Sequence, residues 1–158
     1  MHEEMPVGVS IARIVEETPS IRTFYFDHEI SARPGQFVMV WVPGVDEIPM
    51  ALSSSSSITV QKVGDATAAL FAMGEGDVMG IRGPYGNGFS AGGRTLAIAG
   101  GVGATPLLPL AESGQVEVFL LGARTASEVL FADRIRRVAR LMVATDDGTA
   151  GHHGFVTE

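Results

Sequence analysis

The four apolar residues Leu96-Ala-Ile-Ala99 run directly into Gly100-Gly-Val-Gly-Ala-Thr-Pro106, and this junction restricts the fold more than any other stretch of the chain. A short continuous apolar run is how a strand buried in a parallel sheet reads. The glycines that follow let the chain turn sharply and open a helix whose first N–H groups are unpaired, so a pyrophosphate can approach the backbone. The cluster departs from the standard dinucleotide fingerprint, because Pro106 stands where the third glycine would be. Taken alone, such a turn serves tight packing equally well. Pro106 suits a helix start, where a missing N–H costs nothing. Pro109 suits it less and predicts a helix that is short or kinked before Gly114.

Beyond that turn the pattern continues as strand and helix in alternation. Val116 to Leu121 reads as a strand, Ala126 to Val138 as a helix and Leu141 to Ala144 as a third strand, which together begin a doubly wound sheet. Before Gly92 the pattern is different. Short segments rich in β-branched and aromatic residues are separated by turn residues, at Val7 to Val15, Ile21 to Phe26, Gln36 to Val42, Ala51 to Ser54, Ile58 to Val63 and Val78 to Arg82. In this half only Ala66 to Met73 reads as a helix. The five serines from Ser53 to Ser57 fall between two strand segments, as a hairpin connection would. The expected architecture is an antiparallel Greek-key β-barrel over residues 1–92, followed by a partial parallel α/β domain over 93–158. The Gly-rich stretch from Gly83 to Gly93 is the junction.

Composition excludes several kinds of chemistry. The chain has no cysteine, so it can supply no disulfide, thiolate metal site, cysteine nucleophile or iron–sulfur ligand. A net charge of −7 leaves no basic stripe for a nucleic acid partner. No apolar run approaches the length of a membrane span, and the acidic start Met-His-Glu-Glu lacks the basic residues of a signal peptide, so the default expectation is a cytoplasmic protein with no membrane partner. No Gly-x-Ser-x-Gly elbow supports a hydrolase. His152 and His153 read as part of a tail loop in preference to a metal site.

Several segments occur in one order: Pro34-Gly-Gln-Phe37, Ile48-Pro-Met-Ala-Leu-Ser53, Lys62-Val-Gly-Asp-Ala-Thr67, Arg82-Gly-Pro-Tyr-Gly-Asn-Gly-Phe89, the Gly100 to Pro106 turn and Thr145-Asp-Asp-Gly148. In that order the chain resembles the ferredoxin–NADP reductase superfamily, and within it the electron-transfer subunits of dihydroorotate dehydrogenase, which serve pyrimidine biosynthesis. The resemblance implies FAD on the barrel and NAD on the α/β domain. It places FAD against Pro49, Met50, Ala51 and Leu52, with the Met50 sulfur packed on the ring, and at Ala66 and Thr67 on the helix opening at Gly64. The stripped backbone at Gly86 and Asn87 is implied to lie against the same flat ligand. The nucleotide is implied to sit at Gly100, Gly101, Val102, Gly103, Thr105 and Pro106, with Asp146 near its ribose, where an acidic pair with Asp147 favours NAD over NADP. A solvated acidic turn is the alternative there.

The chain departs from the family pattern in the Ile48 to Ser53 segment. Ile48 stands where an arginine is usual, Met50 where an aromatic is and Ala51 where a hydroxyl residue is, which removes one bidentate phosphate contact. Asp65 reads as a helix N-cap whose carboxylate would compete with a phosphate. The family pattern continues with a strand ending in Cys-Gly-Pro and cysteines holding an iron–sulfur cluster, so against it the chain reads as truncated at its C-terminal side. The function implied is a flavoprotein subunit passing electrons between NAD(H) and a catalytic dihydroorotate dehydrogenase subunit or another redox partner. No side chain need act as acid or base, because the flavin carries the chemistry. A scaffold with weak or no flavin binding and a flavin reductase are the alternatives.

Overall fold

A computed structural model describes residues 5–158. Strands β1 (Val7–Thr18), β2 (Ile21–Phe26), β3 (Phe37–Val42), β4 (Asp46–Ser54), β5 (Ser57–Gln61) and β6 (Val78–Tyr85) close into a barrel in the order β1-β2-β5-β4-β3-β6. Every pairing in the barrel is antiparallel. Closure leaves no free edge to pair with another chain. The alternation of side chains sends Val9, Ile11, Phe24, Val38, Val40, Ile58, Val60 and Met79 inward to one apolar cluster. The helix α1 (Asp65–Ala72) plugs that cluster with Leu70, which is fully buried.

The second layer holds four parallel strands in the order β10-β9-β8-β7, namely β7 (Leu96–Gly100), β8 (Val118–Ala123), β9 (Arg140–Thr145) and β10 (His152–His153). Helices α2 (Leu108–Glu112) and α3 (Ala132–Arg136) cover one face of this sheet through Leu108, Ala111 and Ile135 against Phe119 and Leu121.

Several expectations need correcting. The helix expected over 126–138 is split into a 3₁₀ turn, Ala126–Glu128, and α3, because Phe131 between them takes a left-handed φ of 61°. The histidines of the expected tail loop form the edge strand β10, pairing His152 with Ala144 and His153 with Thr145. β4 starts at Asp46, five residues before the expected Ala51, and accommodates Pro49. Gly83 to Tyr85, read as the start of the junction, prolong β6. Asp65 is the first residue inside α1, and the cap is Gly64, whose extended backbone needs no side-chain oxygen. Pro109 is at the second position of α2, where its missing N–H is harmless; the turn from Gly101 to Ala104 is 3₁₀. β7 is not buried on both sides, since Leu96 and Ile98 are about half exposed while Ala97 and Ala99 face the helices.

Candidate functional site

The carboxyl ends of β7, β8 and β9 face the barrel across a cleft of about 770 Å³. One wall is Gly100, Gly101, Val102, Arg124 and Asp146; the other is Ser20, Ile21 and the Gln61-Lys62-Val63 end of β5. Open α/β sheets bind ligands at this edge. The glycine turn is there because β7 stops at Gly100 and Gly101 takes φ +52°, a value that suits a residue without a Cβ. A Cβ built on Gly100, Gly101 or Gly103 would meet no atom within 4 Å, so the turn presents a bare backbone shelf. Gly122, one strand over, differs, because Val156 of the tail already fills the space above it.

Of the residues expected to bind the nucleotide, Gly100, Gly101, Val102 and Asp146 come together in this cleft. Gly103 is exposed on the same turn, with Thr105 and Pro106 behind it. The Thr105 hydroxyl is buried and has no hydrogen-bond partner in the protein. A buried hydroxyl without a partner calls for an explanation. The bare shelf and the unpaired hydroxyl both fit a dinucleotide on this turn. The two acidic residues expected to act as a pair do not do so. Asp147 accepts the Thr149 hydroxyl at 2.6 Å and the Thr149 N–H at 3.0 Å, contacts that hold its carboxyl below the usual range. That leaves Asp146 as the carboxylate of the pair that lines the cleft.

On the barrel the expected flavin contacts are sorted by the pleat of β4. Val40 opposes Ile48 and Val38 opposes Met50, and all four side chains pack toward the barrel core. The Met50 sulfur is therefore not presented outward to a ring, and Ile48 is not in a position where an arginine would reach a phosphate. Pro49 and Ala51 lie on the outward face, while Leu52 is buried inside. On that outward face Glu47 accepts two hydrogen bonds from Arg82, at 2.5 and 2.6 Å.

The Thr67 hydroxyl is also committed. It accepts the N–H groups of Val63 and Gly64 and donates to the Gly64 carbonyl, each at 2.9 Å. What α1 offers an anion is backbone alone, at Ala66 and Thr67, with open space above Gly64. Gly86 and Asn87 are exposed on the loop after β6, where the Gln36 side chain donates to the Gly86 carbonyl. They do not line the cleft. A flavin thus fits at the level of exposed backbone, and less well at the level of the side chains named for it.

Two residues that line the cleft were not singled out from the sequence. Lys62 and Arg124 bring positive charge to opposite walls, and among the described residues neither forms an ion pair. The position of Arg124 just beyond the end of β8 is the sequence signal that could have found it, since ligands gather at strand carboxyl ends.

No protein-family model matches the chain. Curated relatives match it over nearly all of its length. It is 52% identical over 160 residues, 97% of this chain and 62% of the relative, to a probable dihydroorotate dehydrogenase B (NAD(+)), electron transfer subunit, of Methanocella arvoryzae. It is 46% identical to the protein of the same name from Methanocaldococcus jannaschii, over 98% of this chain and 62% of that one. The chain thus spans about three fifths of the length of these relatives. Among solved structures, an NADH-dependent reduced ferredoxin-NADP oxidoreductase studied for flavin-based electron bifurcation superposes with a TM-score of 0.84 at 28% identity, covering 94% of this chain and 60% of that one. A flavohemoglobin from Malassezia yamatoensis with bound FAD and heme superposes with a TM-score of 0.76 at 16% identity, over 93% and 47% of the two chains. The fold is that of the ferredoxin–NADP reductase-like proteins.

Proposed function

We infer that the chain belongs to the electron-transfer subunits of dihydroorotate dehydrogenase B and acts as a flavoprotein between NAD(H) and a catalytic partner subunit. The observation that carries this reading is the bare glycine shelf at the sheet's carboxyl edge, set directly across a cleft from the barrel. An FAD bound on the barrel would supply the redox chemistry, taking a hydride from the reduced nicotinamide and passing its electrons on to the partner. The chain's own residues bind and align. The backbone of Gly100 to Gly103 receives the dinucleotide phosphates, and Lys62 and Arg124 supply positive charge from either wall. Asp146 accepts from ribose hydroxyls and disfavours a 2′-phosphate, which selects NAD over NADP. Pro49, Ala51 and the first turn of α1 hold the flavin by shape and backbone N–H groups. Ile21 and Val102 exclude water from the place where the two cofactors meet.

The test is reconstitution of the purified chain with FAD or FMN, identification of the retained flavin by mass spectrometry, and anaerobic titration with NADH and NADPH. Retention of FAD and bleaching by NADH in preference to NADPH is expected. A chain that holds no flavin after reconstitution would overturn the reading. It would favour a scaffold role, for which the inward Ile48 and Met50 and the committed Thr67 hydroxyl speak. FAD that is lost on dilution would favour a flavin reductase.

A further inference from the structure

The outward face of the barrel carries a groove of about 450 Å³ that shares no lining residue with the nucleotide cleft. Its floor is one row of the sheet. Gly8 of β1 opposes Gly80 of β6, Gly80 opposes Trp41 of β3, and Trp41 opposes Glu47 of β4. Glycine inside a strand weakens it and marks a place where another group approaches the backbone closely. For Gly80 those groups belong to the chain itself, since a Cβ there would fall 2.9 Å from the Pro6 Cβ and 3.0 Å from the Trp41 indole. The bare backbone lets the indole lie across β6 while Trp41 stays 44% exposed. Gly8 differs. Among the described residues a Cβ on it would touch only Val78, at an ordinary 3.5 Å, so the chain's own packing does not require a glycine there.

The centre of the groove is apolar. Val78 and Met5 are exposed in its lining beside the fixed indole, the composition of an interface core with an aromatic anchor. Its border is acidic. Asp77 adjoins Val78, Asp46 adjoins Glu47, and Asp27 accepts the N–H of Ser10, the residue opposite Val78, at 2.8 Å. Arg82, the cation in the lining, is committed to Glu47 at 2.6 Å. A surface that presents an apolar side chain within a basic rim is complementary to this arrangement. The next row along the same strands is Arg82, Met39 and Pro49, two residues or about 7 Å away. Pro49 is one of the residues assigned to the flavin, so a protein seated in the groove stands beside that cofactor and leaves the nucleotide cleft open.

We propose that this groove is where the catalytic redox partner docks. The partner inserts an apolar side chain over Gly8 and against Trp41, and sets lysines or arginines opposite Asp27, Asp46 and Asp77. The docking rests on the reading of the chain as an electron-transfer subunit with flavin on the outward face of β4. Electrons leaving the flavin then have a short path to the partner, while the dinucleotide enters elsewhere.

The experiment uses FAD-reconstituted wild type, G8L, W41A and I98S, each titrated by biolayer interferometry against the immobilised catalytic dihydroorotate dehydrogenase subunit from the same genome. G8L fills the groove without disturbing the chain's own contacts. I98S alters the other exposed apolar surface, the open face of the parallel sheet. Affinity for the subunit is expected to fall about thirtyfold or more in W41A and about tenfold or more in G8L, and less than about threefold in I98S. Flavin content and reduction by NADH should match wild type in all three. Wild-type affinity should also fall as salt rises from about 50 to about 500 mM, because the two rims attract. Binding of G8L and W41A within threefold of wild type, or a loss confined to I98S, would overturn the docking. So would a dimer of the chain alone that both variants abolish while subunit binding persists, since the groove would then belong to a second copy. Should W41A fail to fold, G8L decides alone. If wild type holds FAD and is reduced by NADH yet does not bind the subunit, the docking is overturned and the flavin reading stands. If it binds the subunit but holds no flavin, the functional reading fails and G8L still decides the groove.

Discussion

Gly100→Val separates binding from folding. Gly100 has φ −118° and ψ 131°, an extended conformation that valine adopts without strain, and a Cβ there meets nothing within 4 Å. A strand-end glycine gives up about 0.5–1 kcal/mol of stability relative to a residue with a side chain. The variant is therefore expected to melt at the wild-type temperature or a few degrees above it. Its isopropyl group would stand on the shelf that a phosphate must approach. Losing two backbone contacts to a charged oxygen, each worth about 1.5–3 kcal/mol, removes roughly 3–6 kcal/mol, a loss of two to four orders of magnitude in affinity. Differential scanning fluorimetry gives the first quantity and calorimetric titration with NADH or ADP-ribose the second. A variant that binds either ligand within threefold of wild type would show that the shelf does not receive the dinucleotide.

Three further outcomes follow from the geometry. Ile48→Arg, which restores the arginine usual in the family, should fail to tighten FAD and should cost about 3 kcal/mol in urea unfolding, because the side chain points at the barrel core; Ala51→Arg, on the outward face, should be tolerated, and equal stabilities would show that β4 is in another register. Gly122→Val should expel Val156 from its seat, since the new Cβ falls 2.9 Å from the Val156 Cβ; proteolysis of the tail by chymotrypsin at Phe155 should quicken, and an unchanged digestion rate would contradict the packing. Glu47, Glu117 and Asp147 have their carboxyl pKa values lowered by hydrogen bonds from Arg82, Arg94 and Thr149. A lowered folded-state value contributes stability that is present above the ordinary carboxylate range and lost as pH falls through it, so the melting temperature should hold from pH 7 to about 5 and fall below about 4. In Thr149→Val the deficit relative to wild type should shrink toward acid, and a constant deficit at every pH would remove Asp147 from the account.

The strands were readable in the sequence because their period is short and local. Ile21 to Phe26 is found at the expected bounds, and the serine run turns where expected, with Ser53 and Ser57 bonded at 2.9 Å. The helical half was less readable. The stretch from Ala126 to Val138 reads as helical, yet tertiary packing of Phe131 breaks it, and nothing local announces a left-handed phenylalanine. The position of the glycine turn and Asp146 at the cleft was legible because each sits at a strand end. The inward facing of Met50 was not legible, because motif matching gives position but not facing, and a one-residue choice of pleat decides between core and outer surface. The roles of Asp147 and Thr67 depend on hydrogen bonds to Thr149 and Gly64 that only the folded chain reveals.

Ile21 opens β2 of the barrel, yet it is 3% exposed and packs into the apolar cluster of the parallel sheet alongside Ala99 and Leu121. The barrel thus lends a side chain to a core that is otherwise not its own. Melting either half bares surface in the other, so the two should unfold in a single cooperative transition, with coincident near- and far-ultraviolet signals. The same residue also lines the cleft. Local opening of the mouth is therefore coupled to the global free energy of the chain, and amides around Ser20 and Ile21 should exchange only as slowly or as quickly as the whole molecule unfolds.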